Sequence, residues 1–202
     1  MSGMFCFQCE QTAGGKGCTG GAGVCGKKAD TSNLQDELTG ALIGLAKAAE
    51  KGQPNAQTHK VVIEGLFTTI TNVSFDNASI KRQIANIRNE KQKLGSVFAE
   101  NYDMNKLWND NEDIRSLKSL ILFGIRGMAA YAYHALVLGY SNDEVNNFFY
   151  KALRAIGGDL NADELLPLVL ETGKVNLTCM AMLDQANTET YGTPVPTKVP
   201  LT

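Results

Sequence analysis

Four cysteines stand near the amino end of this chain with a spacing that suits metal binding. The pattern is C-x2-C-x8-C-x6-C, formed by Cys6, Cys9, Cys18 and Cys25. Four thiolates complete the iron coordination of a [4Fe–4S] or a [2Fe–2S] cluster. Glycines fill much of the intervening sequence, and glycine lets bare backbone approach a cluster and point N–H groups at its sulfurs. The pattern therefore favours redox chemistry at an iron–sulfur cluster.

Three other interpretations of the cysteines remain open, and we rank them below the first. A structural zinc site suits four cysteines, but such sites usually combine two tight Cys-x2–4-Cys pairs. Here six residues separate the second pair. A disulfide framework needs an oxidising compartment, which nothing in the sequence indicates. The last interpretation is that the cysteines bind no metal at all.

The composition excludes several classes of function. Basic residues (19) and acidic residues (21) nearly balance, which leaves no positive surplus for nucleic acid. No uninterrupted apolar run reaches the roughly 18 residues that cross a bilayer, and the first residues lack the pattern of a signal peptide. We therefore expect a cytoplasmic protein without a nucleic-acid or membrane partner. Because the chain has no phosphate loop, G-x-S-x-G elbow or H-E-x-x-H motif, no catalytic residue is predicted.

The elements that must position the cysteines are predicted to be helical. Residues 1–30 lack helical periodicity and are expected to form an irregular cluster-binding loop, followed by a helical domain (31–191) and an extended tail or linker (192–202). Apolar residues recur at three- and four-residue steps through the helical part, with Thr31 or Ser32 as the first N-cap. The predicted helices run from about 32 to just before Gly52, then over about 59–71, 77–102, 112–139, 142–156 and 162–187. These roughly six helices predict an all-α fold of two packed three-helix bundles.

Several further residues have ordinary structural interpretations. Cys179 lies in the last predicted helix and is expected to be a small buried side chain. His134 is expected in the core and His59 at the surface. Lys27 and Lys28 follow the fourth cysteine, where their charge could offset the negative charge of a cluster.

Long segments of the chain resemble the hybrid cluster proteins, also called prismane proteins or hydroxylamine reductases. The resemblance is strongest in the opening segment, MFCFQCEQTAGGKGCTGGAGVCGKKADTSNLQDEL. It continues in GLFTTITNVSFD (65–76), NEDIRSLKSLILFGIRGMAAYAYHALVLGY (111–140) and MAMLDQANTETYGTPVPTKV (180–199). The resemblance therefore covers nearly the whole chain.

The resemblance implies a particular cofactor and reaction. In that family a helical N-terminal domain carries a cubane-type cluster on four such cysteines, which correspond by position to Cys6, Cys9, Cys18 and Cys25. The eight-residue gap resembles the forms with a [4Fe–4S] cluster, and a [2Fe–2S] cluster is the second choice. The family reduces hydroxylamine to ammonia, or nitric oxide to nitrous oxide. These reactions take place at a hybrid iron–sulfur–oxygen cluster on two further α/β domains.

This chain departs from the family pattern in its length. Family members continue for several hundred residues, and the ligands of their hybrid cluster have no counterpart here. We therefore expect an electron-transfer domain cut from a longer hydroxylamine reductase-like protein. Its expected partners are an electron donor protein and the missing C-terminal hybrid-cluster domains, and a homo-oligomer is a further possibility. The alternatives are a stand-alone iron–sulfur electron carrier or redox-sensing module, and a helical interaction domain with a structural metal.

Overall fold

Helices make up most of the part of the chain that the structure describes. The structure is a computed structural model, and it describes residues 3–9, 12–70, 74–95 and 101–198. Within these residues, the strands are β1 (Met4–Cys6) and β2 (Cys18–Gly20), and the helices are α1 (Ala29–Ala49), α2 (Ala56–Thr68), α3 (Asn77–Lys93), α4 (Met104–Trp108), α5 (Glu112–Val137), α6 (Asp143–Ile156) and α7 (Ala162–Tyr191). The predicted all-α fold is confirmed.

The long helices form two three-helix bundles that share one core. Helices α1, α2 and α3 pack on one another, and so do α5, α6 and α7. The bundles meet where α1 packs on α6 and where α2 packs on α5. Their buried apolar side chains form one continuous cluster. Since apolar burial is the main favourable term in folding, this shared core holds both bundles in a fixed arrangement around the cysteine segment.

The first helix begins earlier than its sequence predicts. It starts at Ala29, so Thr31 and Ser32 lie buried within the first turn instead of capping it. The Thr31 hydroxyl donates to Asn77 Oδ1 over 2.8 Å. Asn77 is the first residue of α3, so this hydroxyl joins two helices. Hydroxyl side chains serve both purposes, and the sequence alone does not separate a cap from such a bridge.

The third helix ends well before its predicted limit at residue 102. It stops at Lys93, and Gly95 follows with a φ of +73°, a conformation that ends helices and favours glycine. Residues 96–100 lie outside the described residues, as does the predicted end of the second helix at 71. The Tyr102 N–H donates to the Gly40 carbonyl of α1 over 3.1 Å, and the unpredicted helix α4 follows. A backbone pairing in the middle of α1 leaves no trace in an apolar pattern.

Helix α5 is the central element of the second bundle. Among the described residues it is the one helix whose length and apolar content would suffice to cross a bilayer, a property that core helices share. Its inward face packs on α2, α6 and α7. A Cβ on Gly124 would lie 2.5 Å from Thr172 Cγ2 of α7, so this glycine permits the close contact of the two helices.

Candidate iron–sulfur site

A short β-ribbon brings two of the predicted cluster ligands face to face. Strands β1 and β2 pair in antiparallel register, with Cys6 opposite Cys18. Directly opposed residues in such a pair have Cβ atoms about 4.5–5.5 Å apart. The prediction of an irregular loop is therefore wrong at these two strands. Three-residue strands are too short to show the alternation by which strands are recognised.

Gly17 allows the backbone to pass close to the Phe5 ring just before β2 begins. Its φ is +119°, and a Cβ at this position would lie 2.6 Å from the Phe5 ring of β1. An L-residue would therefore be strained and would also displace Phe5. The Phe5 ring in turn packs against Trp108 of α4, with ring centroids 5.5 Å apart. This contact ties the ribbon to the helical core.

Gly23 places Cys18 and Cys25 beside a common space. A Cβ built on Gly23 would lie 3.6 Å from Cys18 Sγ and 3.7 Å from Cys25 Sγ. The turn is held by two backbone hydrogen bonds, in which Gly23 N–H donates to the Lys27 carbonyl (2.8 Å) and Gly26 N–H to the Gly23 carbonyl (3.0 Å). The absent side chain therefore leaves open a cradle that touches both sulfurs. A cluster bound by these thiolates would need such a space, so the residues fit the group that the sequence predicts.

The evidence that Cys9 lies near the other three cysteines comes mainly from its position in the sequence. It lies three residues after Cys6, and its carbonyl accepts a hydrogen bond from Thr12 N–H (3.2 Å). No described contact links its sulfur to those of Cys18 or Cys25. Nor do any three His, Cys, Asp or Glu side chains of the described residues form a group that could hold one metal ion. In a cluster, by contrast, each thiolate can bind a different iron.

The four thiols divide into an inner and an outer pair. Cys6 and Cys18 are buried, whereas Cys9 and Cys25 are partly exposed, and all four are free. Cys25 borders an open cleft of about 480 Å³, which Lys28 and Phe75 also line. The outer pair therefore faces the solvent, and the inner pair faces α1.

Burial controls the protonation of Cys6. Desolvation raises the pKa of its thiol above the ordinary value of 9.0, and the charge of Lys27 opposes this rise. Cys6 therefore carries a proton at neutral pH when no metal is bound. Because a metal ligand must be a thiolate, a metal bound by Cys6 would displace this proton.

Lys27 is buried beneath the ribbon. Only 1% of its surface is exposed. Its Nζ donates to Gln35 Oε1 of α1 over 2.6 Å and to Gln8 Oε1 over 3.5 Å. Lys28, which the sequence did not distinguish from Lys27, is exposed. Burial thus selects one of the two lysines as a fixed charge next to the cysteines.

Two charged side chains that act on this site, Asp36 of α1 and Arg126 of α5, were not predicted from the sequence. Burial raises the pKa of Asp36 to about 6, although the charge of Arg126 opposes the rise. Among the described residues the Trp108 indole N–H has no partner with full hydrogen-bond geometry, yet it also favours the charged form of Asp36 and so opposes the rise of its pKa. Asp36 and Arg126 lie on long helices among ordinary polar and apolar residues. Their position relative to the cysteines is visible only once the helices are packed.

The remaining candidate residues lie elsewhere. Cys179 is fully buried in α7, as predicted, and its Sγ contacts the Met128 carbonyl at 3.5 Å. The two histidines are placed the other way round from the prediction. His134 is exposed, whereas His59 is partly buried and its Nδ1 lies 2.9 Å from the Tyr150 hydroxyl. A helix-wide apolar pattern does not resolve which single position turns outward.

Comparison with known proteins identifies the family. Residues 4–202 match the model of the Prismane/CO dehydrogenase family. The chain belongs to this family. Among its relatives, the hydroxylamine reductase of Clostridium novyi (strain NT) is 42% identical over 226 residues. That of Desulfitobacterium hafniense (strain Y51) is 43% identical over 227 residues, and that of Nitratidesulfovibrio vulgaris (strain Hildenborough) is 40% identical over 230.

Each of these three alignments covers 97% of this chain but only 41% of the relative. The chain thus spans less than half the length of the hydroxylamine reductases that it matches. Proteins of the family bind iron–sulfur clusters, and the resemblance stated from the sequence is confirmed at the level of the family.

Proposed function

We propose that this chain is the iron–sulfur electron-transfer domain of a hydroxylamine reductase-like hybrid cluster protein. Cys6, Cys9, Cys18 and Cys25 would hold a [4Fe–4S] cluster, with [2Fe–2S] as the second choice. When bound, such a cluster takes up and returns one electron. The observation that carries the proposal is the ribbon geometry, in which Cys6 opposes Cys18 while Cys18 and Cys25 border one cradle at Gly23.

The residues around the cradle have distinct tasks in this proposal. Gly17 and Gly23 leave room for the ribbon to close and for the sulfurs to be reached. The helical core supports the inner pair through the packing of β1 on α1. The partly exposed outer pair, Cys9 and Cys25, is the side from which an electron donor protein would approach. Since clustered thiols remain reduced in the cytoplasm, we also propose a cytoplasmic location.

A face of α7 suits the partner that the longer relatives carry within their own chain. The exposed side chains fall at steps of four, three, four and three residues, which makes one stripe: Leu166, Leu170, Gly173, Leu177 and Met180. Leu170 is 71% exposed and Leu177 is 67% exposed. Exposed apolar stripes of this kind mark interaction sites. Because the relatives are more than twice as long as the matched segment, we propose that their remaining domains cover this face.

The docking proposal can be tested with the portion of the Clostridium novyi relative that this chain does not match. Light scattering after size-exclusion chromatography should show a one-to-one complex with the wild-type chain. The L170E/L177E double variant should not bind it, while Val195→Glu, a similar change at an exposed tail residue, should bind normally. A chain that dimerises through this stripe, or one that does not bind, would contradict the proposal.

Metal analysis tests the cluster itself. Protein prepared without oxygen should contain iron and acid-labile sulfide in equal amounts, near four of each per chain for a [4Fe–4S] cluster. Reduction with dithionite should give an EPR signal. About one zinc without sulfide would instead support a helical interaction domain with a structural metal. A colourless protein free of iron would refute the cluster.

A further inference from the structure

Arg126 is a buried cation whose hydrogen bonds are incomplete. It lies in the middle of α5 and is only 4% exposed. Its Nη2 donates to Thr39 Oγ1 of α1 over 3.0 Å, but Nε and Nη1 have no hydrogen-bond partner among the described residues. Burying a guanidinium is costly unless an anion compensates its charge. A negative charge close to Arg126 is therefore needed to offset the cost of burying its guanidinium.

Asp36 and Cys6 are the groups whose negative charge stabilises the protonated form of Arg126. Both raise the pKa of Arg126, while burial lowers it to about 10, so the side chain stays protonated at neutral pH. Of these two groups, Asp36 is the carboxylate, and it lies on α1, the helix whose Thr39 accepts a hydrogen bond from Arg126.

Lys27 adds a second buried cation to the same region. Its two acceptors, Gln35 and Gln8, offer neutral amide oxygens. Its charge also acts on both Cys6 and Asp36. Within the part of the chain that the structure describes, two buried cations thus act on one carboxylate, Asp36. This excess of positive charge suits an anionic centre bound by the four thiolates.

We propose that Arg126, together with Lys27, is a positioning residue that supplies fixed positive charge to the iron–sulfur centre and raises its reduction potential. The inference rests on the function proposed above. Reduction adds one electron from an external one-electron donor, and no bond to the protein forms or breaks. The bound centre becomes more negative by one charge, and a buried cation favours that state because its field is weakly screened. Thr39 and Gln35 hold the two cations from one face of α1.

Replacing Arg126 by an uncharged residue tests this role. Arg126→Met keeps much of the apolar length of the side chain but removes its charge. In an EPR-monitored redox titration of the loaded protein, the equilibrium should shift at least tenfold toward the oxidised state, which is about 59 mV for one electron. Arg126→Lys should restore most of the wild-type potential, because it restores the charge.

Lys118 provides a matched control on the same helix. It is also a buried cation, at 3% exposure, but its Nζ donates to the Gly158 carbonyl (2.9 Å) and pairs with Asp110 (3.4 Å). Lys118→Met should reduce stability and leave the potential near the wild-type value. If Arg126→Met does not fold, two other variants test the two cations one at a time. Thr39→Val removes the hydrogen-bond acceptor of Arg126, and Lys27→Gln removes the charge of Lys27. Thr39→Val should shift the potential by less than Lys27→Gln.

The outcomes separate this inference from the proposed function. A wild-type chain that binds no iron and sulfide would overturn the function. A wild-type chain that loads normally, with Arg126→Met and Lys27→Gln both loaded and unchanged in potential, would overturn only the role of the buried cations. An equal shift in Lys118→Met would overturn it as well, because the effect would then not depend on nearness to the cysteines.

Discussion

Cys18 takes part in both contacts that assemble the site, since it faces Cys6 across the ribbon and Cys25 across the Gly23 cradle. We expect Cys18→Ser to lose or degrade the cluster while the helices largely survive. The buried apolar cluster of the ribbon (Met4, Cys6 and Cys18) is distinct from the much larger cluster of the helical core, so the helices should keep most of their packing if the ribbon loosens. Iron and sulfide content and far-ultraviolet circular dichroism measure the two effects.

A matched control for this variant is Cys179→Ala, which alters the fifth cysteine inside α7. It should retain the full iron content and lose some stability, because it removes a buried sulfur. Complete loss of helical dichroism in Cys18→Ser would show that the helices depend on the site, and would contradict the expectation.

Gly23 tests the cradle directly. An alanine Cβ would make ordinary van der Waals contacts with the sulfurs of Cys18 and Cys25, so the metal-free fold should tolerate Gly23→Ala. The methyl group would nevertheless occupy space next to both ligand atoms. We expect a clear fall in iron retained per chain after gel filtration. Gly21→Ala, whose Cβ would meet no atom within 4 Å, should retain as much iron as the wild type.

The raised pKa of Asp36 predicts that the free energy of unfolding decreases as the pH rises through 6. Burial raises its pKa from 3.8 to about 6, so the folded chain binds this proton more tightly than the unfolded chain. The resulting stabilisation is complete below about pH 4 and is lost as the pH rises through 6. Between pH 5 and pH 7 the wild type should therefore lose about 1 kcal/mol relative to Asp36→Asn, or roughly 2–4 °C in Tm.

Calorimetry of both proteins across this pH range measures the difference. Glu37→Gln is the control, because Glu37 is exposed and pairs with Arg88 at 2.7 Å. Its Tm should stay nearly parallel to that of the wild type. A wild-type curve parallel to Asp36→Asn would mean that Asp36 titrates normally in the folded protein.

At the scale of the helices, two glycines with opposite surroundings predict opposite effects. A Cβ on Gly40 of α1 would collide with the Tyr102 carbonyl, a backbone atom fixed by its neighbouring hydrogen bond to Gly40. Gly127 of α5 is exposed, and its Cβ would meet nothing within 4 Å. Gly40→Ala should therefore destabilise the chain, whereas Gly127→Ala should stabilise it by up to about 1 kcal/mol. Denaturant unfolding of both variants gives the sign of each effect.

The sequence predicted the helices because their apolar faces repeat over many residues, and it predicted the cysteine quartet because ligand type and spacing are local. It did not predict features that arise from contacts between distant segments. The pairing of Cys6 with Cys18 spans only three residues on each strand. The contact between Arg126 and Thr39 joins residues 87 positions apart. Helix α3 ends earlier than predicted at a single glycine with positive φ, and an apolar pattern does not reveal such a position.

At the scale of the whole molecule, the chain spans less than half the length of the hydroxylamine reductases that it matches. We expect the isolated, cluster-loaded chain to show no hydroxylamine reduction above the rate of free reagents, because the proposed hybrid-cluster domains are absent from it. An anaerobic ammonia assay with dithionite and a mediator dye measures this, with the full-length Clostridium novyi relative as the positive control. Robust turnover by the pure chain would require an active site within these 202 residues.

The order of the ribbon and its supports along the chain has a consequence for biosynthesis. The four cysteines leave the ribosome before Arg126, which emerges roughly 100 residues after Cys25. During translation the thiols therefore stand without the helix that completes their surroundings. Because the ribbon has its own small apolar cluster, we expect it to open locally without unfolding the bundles. Under the proposed function, we therefore expect that metal can be delivered to the thiols after the helical bundles have folded.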